Sequence, residues 1–170
     1  MKNLILLIVA VFIAIGCKTT KHQGDKKKSV LQKTTREYKP IEVFKADTSK
    51  YVTYNFIQNK SKYLHQPLSV FTNDVNINIL SYGLASDSKD KKIYTGMYLY
   101  IFSYATQQQK IAQHQDPIQL FIDFERPIDA QTAVEGYRLD DGVWKGESKK
   151  FYEKQIIKDL SIVKYNTENQ

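Results

Sequence analysis

The chain is short of cysteine, glycine and proline, with one, seven and four of them in 170 residues. A single cysteine excludes an internal disulfide and any zinc site built on several thiolates. The fold must therefore rest on its apolar core. The glycines are scattered and form no phosphate-binding loop, and no nucleophile elbow is present. His22, His65 and His114 lie far apart, and none stands at metal-ligand spacing. Neither a metal nor a cofactor is expected. Long apolar runs are missing too. The longest covers residues 4–15, twelve positions, against the roughly twenty that a membrane-spanning helix needs.

Net charge is also missing where a nucleic-acid partner would need it. The chain as a whole carries +7. Residues 18–45 hold nine Lys or Arg against three Asp or Glu, and from residue 46 onward there are fifteen of each. The excess lies ahead of the domain. A nucleic-acid surface requires basic residues clustered on the folded part, so no nucleic-acid partner is expected.

What is present starts at the N-terminus. Lys2 precedes the apolar run, and the small residue Gly16 follows it. A short basic start, an apolar stretch of this length and a small residue at its end make a secretory signal peptide. Ala14, Ile15, Gly16 and Cys17 resemble the lipobox of bacterial lipoproteins, with Ala14 where that family usually has leucine. The resemblance implies a signal peptide of residues 1–16, cleavage before Cys17 and lipid attachment at Cys17. It also accounts for the lone cysteine. Members of that family carry two or three acyl chains, where one chain holds only marginally. Lys18 rather than aspartate after the cysteine implies the outer membrane if the source is a diderm bacterium. Residues 17–39 read as a basic, disordered tether. They are rich in Lys, Thr, Gln and Ser and have too little apolar surface to offset the entropy of ordering. The expected partner of this part is the lipid bilayer, reached through the acylated cysteine and the basic charges beside it.

Residues 40–170 read as a single globular domain. Asp47, Thr48 and Ser49 signal a helix start, and the spacing predicts a helix over 48–64. Pro67 opens a second helix with Leu68, Phe71 and Val75 as its stripe. The period then changes to two. Strands over 77–85 and 93–104 are expected to pair as an antiparallel hairpin. In the second, Ile93, Met97, Leu99 and Ile101 alternate with Tyr94, Tyr98, Tyr100, Phe102 and Tyr104, which suggests a central strand covered on both faces. Residues 105–116 read as a loop with at most one helical turn. A further strand over 118–125 is expected to end at Pro127. Asp140, Asp141 and Gly142 suggest the turn of a short hairpin. Ser148 suggests the cap of a last helix with Tyr152, Ile156, Ile157 and Leu160 as its stripe, before a short strand at 162–165. The expected fold is α+β, a mainly antiparallel sheet of four to five strands with two N-terminal helices and one C-terminal helix.

Two constellations bear on function. The tyrosine row at Tyr94, Tyr98, Tyr100 and Tyr104 can stack on sugar rings or a peptide, or can fill a core with its hydroxyls at the rim. Asp123 and Glu125 stand two apart on one strand face. Such a pair can act as acid and base in glycoside cleavage, or can be the polar outside of a strand. The expectation is a membrane-anchored envelope lipoprotein without enzymatic activity, a binding or accessory module with an envelope protein as partner. The alternative is a small hydrolase or carbohydrate-binding enzyme acting on envelope polymers, with Asp123 and Glu125 as its catalytic residues.

Overall fold

Four stretches with period-two alternation form one sheet in the computed structural model, which describes residues 36–165. The signal peptide expected over residues 1–16, and Cys17 with the expected tether up to residue 35, lie outside the described residues. Strands β1 (Ser81–Ser86), β2 (Ile93–Tyr100), β3 (Gln119–Asp129) and β4 (Ile157–Val163) pair antiparallel in the order β1-β2-β3-β4. Five α-helices accompany them: α1 (Thr48–Val52), α2 (Leu68–Asp74), α3 (Tyr104–Ala112), α4 (Ala130–Arg138) and α5 (Gly146–Tyr152). The class is α+β, as expected from the grouping of helices and strands. The helices number five rather than three. Two precede the sheet, α3 joins β2 to β3, and α4 and α5 join β3 to β4.

Alternate residues of each strand build the core. Tyr82, Met97, Leu99, Leu120, Ile122, Phe124, Ile157 and Leu160 are buried, and the helical segments bring Tyr51, Phe56, Leu68, Phe71, Ala133 and Tyr152 into the same cluster. Two buried hydroxyls tie the layers together. Tyr152 donates to the Ala133 carbonyl at 2.6 Å, and Tyr82 donates to that of Gly136 at 3.4 Å. The other face carries Gly83, Tyr98, Tyr100, Phe121, Asp123 and Ser161, all half-buried. The expectation that β2 is covered on both faces is thus corrected: the helices pack on one face, and α3 buries no residue. The aromatic rings shield the second face themselves. Tyr100 lies across Gly83, and Phe121 reaches over Gly96.

Other departures have local causes. The helix expected over 48–64 is broken. After α1 the chain makes a π turn at Thr53–Ile57 and a 3-10 turn at Lys60–Lys62. β1 pairs regularly only from Ser81. β2 stops at Tyr100 because the Ser103 side chain accepts from the Thr106 amide at 3.2 Å and starts α3. The Gln-rich stretch is a nine-residue helix rather than a loop; Ala, Gln and Lys favour helix once a cap starts it. β3 runs through Pro127 to Asp129. Pro127 is tolerated because β4 has left β3 by then, so the proline takes no place in a central ladder. Asp129 then caps α4 by accepting from the Thr132 amide at 2.9 Å. Bonds from Thr132 hold its carboxyl below the usual range.

The hairpin expected around Asp140, Asp141 and Gly142 does not form. Tyr137 and Arg138 belong to α4, and Val143 bridges Ser81 of β1. The turn itself is real, with left-handed φ of 51° at Asp141 and 74° at Gly142. Asp140 accepts from the Ser148 amide at 3.0 Å, and this bond holds its carboxyl low. Ser148 does not cap a long last helix. α5 ends at Tyr152, and Ile157 and Leu160 belong to β4. The three-residue spacing of these two resembles a helical stripe because β4 slips in register, Asp159 facing Asp123 and Ile157 facing Phe124.

The chain joins the domain ahead of Pro40. The Arg36 amide donates to the Asn59 side chain and the Lys39 amide to that of Asn55, both at 2.8 Å. Among the described residues no helix is long and apolar enough to cross a membrane.

Candidate functional site

The half-buried sheet face leads to the site. On β2, Tyr98 and Tyr100 point the same way, their rings tilted 20° to each other with centroids 6.5 Å apart. Phe121 of β3 lies opposite Tyr98 in register and adds a third ring at 5.1 Å. The expected row of four tyrosines is split. The β2–β3 register slips between Tyr94 and Gly96, and Tyr94 packs against the core. Tyr104, the first residue of α3, is 77 % exposed.

At the Tyr100 end of this face lies a cleft of about 450 Å³, lined by Tyr100, Tyr104, Gln107, Gln119, Tyr137 and Tyr165, with Ser81, Tyr82 and Asp141 also at its wall. Its polar groups are held in place. Gln119, directly opposite Tyr100 in the ladder, is buried. Its side-chain amide donates to the Gln107 carbonyl oxygen at 3.0 Å and to the Tyr165 hydroxyl. Gln107 in turn donates to the Phe102 backbone carbonyl at 2.9 Å. The start of α3 at Ser103 is what brings Gln107 over the end of the sheet.

The Tyr100 and Tyr165 phenols stay protonated at neutral pH. Burial pushes Tyr100 up, with neighbouring Tyr165 and Tyr98 adding to it. Burial also raises Tyr165, followed by the charge of Asp116. The cleft therefore offers aromatic rings, neutral hydroxyls and oriented amides. Asp141 is the one carboxylate in its described lining. Aromatic faces suit the C–H faces of sugars or apolar side chains, and fixed amides suit hydroxyls or peptide groups.

Asp123 and Glu125 are not in this cleft. Asp123 pairs with Lys158 at 2.8 Å, and Glu125 bonds to the Nδ1 of His65. The bond to Asp123 pushes the Lys158 ammonium up. Each of the two carboxylates is thus engaged by a basic neighbour, Lys158 for Asp123 and His65 for Glu125. No cluster of metal-ligating side chains occurs among the described residues. Sequence reasoning missed Gln107, Gln119, Tyr137 and Tyr165. Gln119 carried a usable signal. It stands one residue from Leu120 and two from Phe121 on a predicted strand, which places it beside the aromatic face.

Set against known proteins, the chain matches no family model, no curated protein and no solved structure.

Proposed function

We propose that this chain is a cell-envelope lipoprotein held at the membrane by acyl chains on Cys17, and that its domain is a non-enzymatic binding module. In a diderm source, Lys18 directs it to the outer membrane. Its partner on that side is the lipid bilayer, reached through the acylated cysteine and the basic charges beside it. The bound species is a neutral, hydroxyl-rich segment of an envelope polymer or partner. One observation carries this reading: a cleft of tyrosines with an ordered Gln119–Gln107 amide chain. Such a lining holds neutral polar chains by stacking and hydrogen bonds.

The test is a calorimetric titration of the full chain with soluble envelope glycan fragments, with the products analysed by mass spectrometry. Saturable binding with unchanged fragments is expected. Tyr100→Ala weakens it about tenfold, the scale of one lost aromatic contact. Shortened fragments would favour the hydrolase reading. Equal affinity in Tyr100→Ala would remove the cleft from the account.

A further inference from the structure

A second site lies on the helical layer, where two buried asparagines hold an extended stretch of backbone. Asn55 and Asn59 are 2 % and 5 % exposed. Asn55 accepts from the Lys39 amide at 2.8 Å and donates to the Lys39 carbonyl at 2.8 Å. Asn59 accepts from the Arg36 amide at 2.8 Å and donates to the Arg36 carbonyl at 3.2 Å. Each side chain thus pairs with the N–H and the C=O of one residue, as an adjacent strand would. The two clamped residues are three apart, the period of a polyproline II helix. Pro40, which follows, has φ −67° and ψ 159°, the polyproline II region.

The backbone contacts are blind to side-chain identity, but the surroundings are not. The Tyr38 hydroxyl meets that of Tyr51 at 3.0 Å, with the two rings edge to face at 6.2 Å. The Arg36 guanidinium and the Lys39 ammonium lie 5.6 Å and 5.0 Å from the Tyr54 ring centroid. A tyrosine with an arginine two residues before it and a lysine directly after it is therefore read by one aromatic neighbour below and one shared cation–π platform. A cavity of about 310 Å³ continues from Arg36 and Tyr38 toward Lys62, Tyr63 and Asp74.

We propose that this groove is a peptide-binding site, occupied in cis by residues 36–39, which exchange with an extended partner segment that carries a tyrosine between basic residues. Buried asparagine amides are costly without partners, so the groove needs an occupant, and its own chain shows which chemistry satisfies it. Exchange also frees four residues on the side of Cys17. Fully extended, these lengthen the reach toward an anchor by roughly 14 Å. Partner binding and reach are then coupled. This site is separate from the tyrosine cleft, and its test does not depend on the cleft.

The probe is a fluorescent peptide with the sequence of residues 34–41, followed by anisotropy against two full-length chains. One is the natural sequence. The other carries Arg36→Pro, Tyr38→Ala and Lys39→Pro, which removes both amide donors and the three recognised side chains. The cis segment competes at an effective concentration on the millimolar scale, so the substituted chain binds the peptide at least about tenfold more tightly. A peptide with proline at both clamped positions binds that chain at least about tenfold more weakly than the parent peptide does. Equal affinity of the two peptides, equal affinity of the two chains, or no binding by a substituted chain with native circular dichroism overturns the proposal. Hydrogen exchange on the natural chain tests it without any substitution. Excess peptide speeds exchange at the amides of Arg36 and Lys39, and unchanged rates overturn it.

Discussion

Gly96→Ala lowers stability by about 3 kcal/mol, at or beyond the usual upper end for forcing extra volume into a packed site. A methyl group there would stand 2.2 Å from the Ile122 carbonyl oxygen, 3.1 Å from the Phe121 ring and 3.2 Å from the Asp123 Cα. The first and third of these are backbone atoms of the neighbouring strand. They recede only if the β2–β3 ladder opens, next to the point where its register already slips. Gly83→Ala is the control. Its methyl would meet the Tyr100 hydroxyl at 2.9 Å, the free end of a side chain that swings aside. The cost is below about 1 kcal/mol, but Tyr100 is displaced from the cleft. Urea unfolding of both variants, with ligand titration, separates the two roles. Gly96→Ala moves the midpoint strongly. Gly83→Ala leaves the midpoint nearly in place and weakens binding. Equal midpoints would contradict the register described for β2 and β3.

The second large effect is at Tyr51, which is completely buried. Its ring stands edge-on to Phe56 at 5.5 Å and to Phe44 at 6.2 Å. Its hydroxyl accepts from the Asn76 amide at 3.1 Å and bonds to Tyr38. Burial, reinforced by the Tyr38 bond, pushes the phenol well above its ordinary value, so it stays neutral across the accessible pH range. Tyr51→Ala leaves a cavity where three segments meet and costs about 3–5 kcal/mol, as for other large aromatics. Tyr51→Phe keeps the ring but leaves the Asn76 amide without this acceptor, which costs about 1–3 kcal/mol. Chemical denaturation of the two variants checks the order. If Tyr51→Phe were as damaging as Tyr51→Ala, the hydroxyl rather than the ring would hold this corner together.

Strands were legible where alternation was clean. Met97 and Leu99 against Tyr98 and Tyr100 showed both faces of β2, and Leu120, Ile122 and Phe124 marked the core side of β3. Errors arose where a local device interrupts the period. The slip opposite Asp123 and Phe124 turned the inward residues of β4 into an apparent helical stripe. Ser103 and Asp129 are single caps inside polar or mixed stretches, and each starts a nine-residue helix with too thin an apolar face to signal one. The cleft was half legible. Tyr100 and Tyr104 were candidates, but Gln119, Tyr137 and Tyr165 meet them only through sheet order and the path of α4. The groove was hidden for a different reason. Asn55 and Asn59 are polar positions inside the stretch 48–64 predicted as a helix, whereas in the structure they face the domain's own incoming chain and satisfy its backbone.

The proposed anchoring through Cys17 is tested most directly by metabolic labelling with palmitate in a lipoprotein-processing bacterium. Each buried methylene contributes about 0.8 kcal/mol, and two or three chains together make release negligible. The natural chain should incorporate label and sediment with membranes. Cys17→Ala should incorporate none, and should stay uncleaved or pass to the soluble fraction. Label in Cys17→Ala at the natural level, or a natural chain that is unlabelled and soluble, would contradict the account.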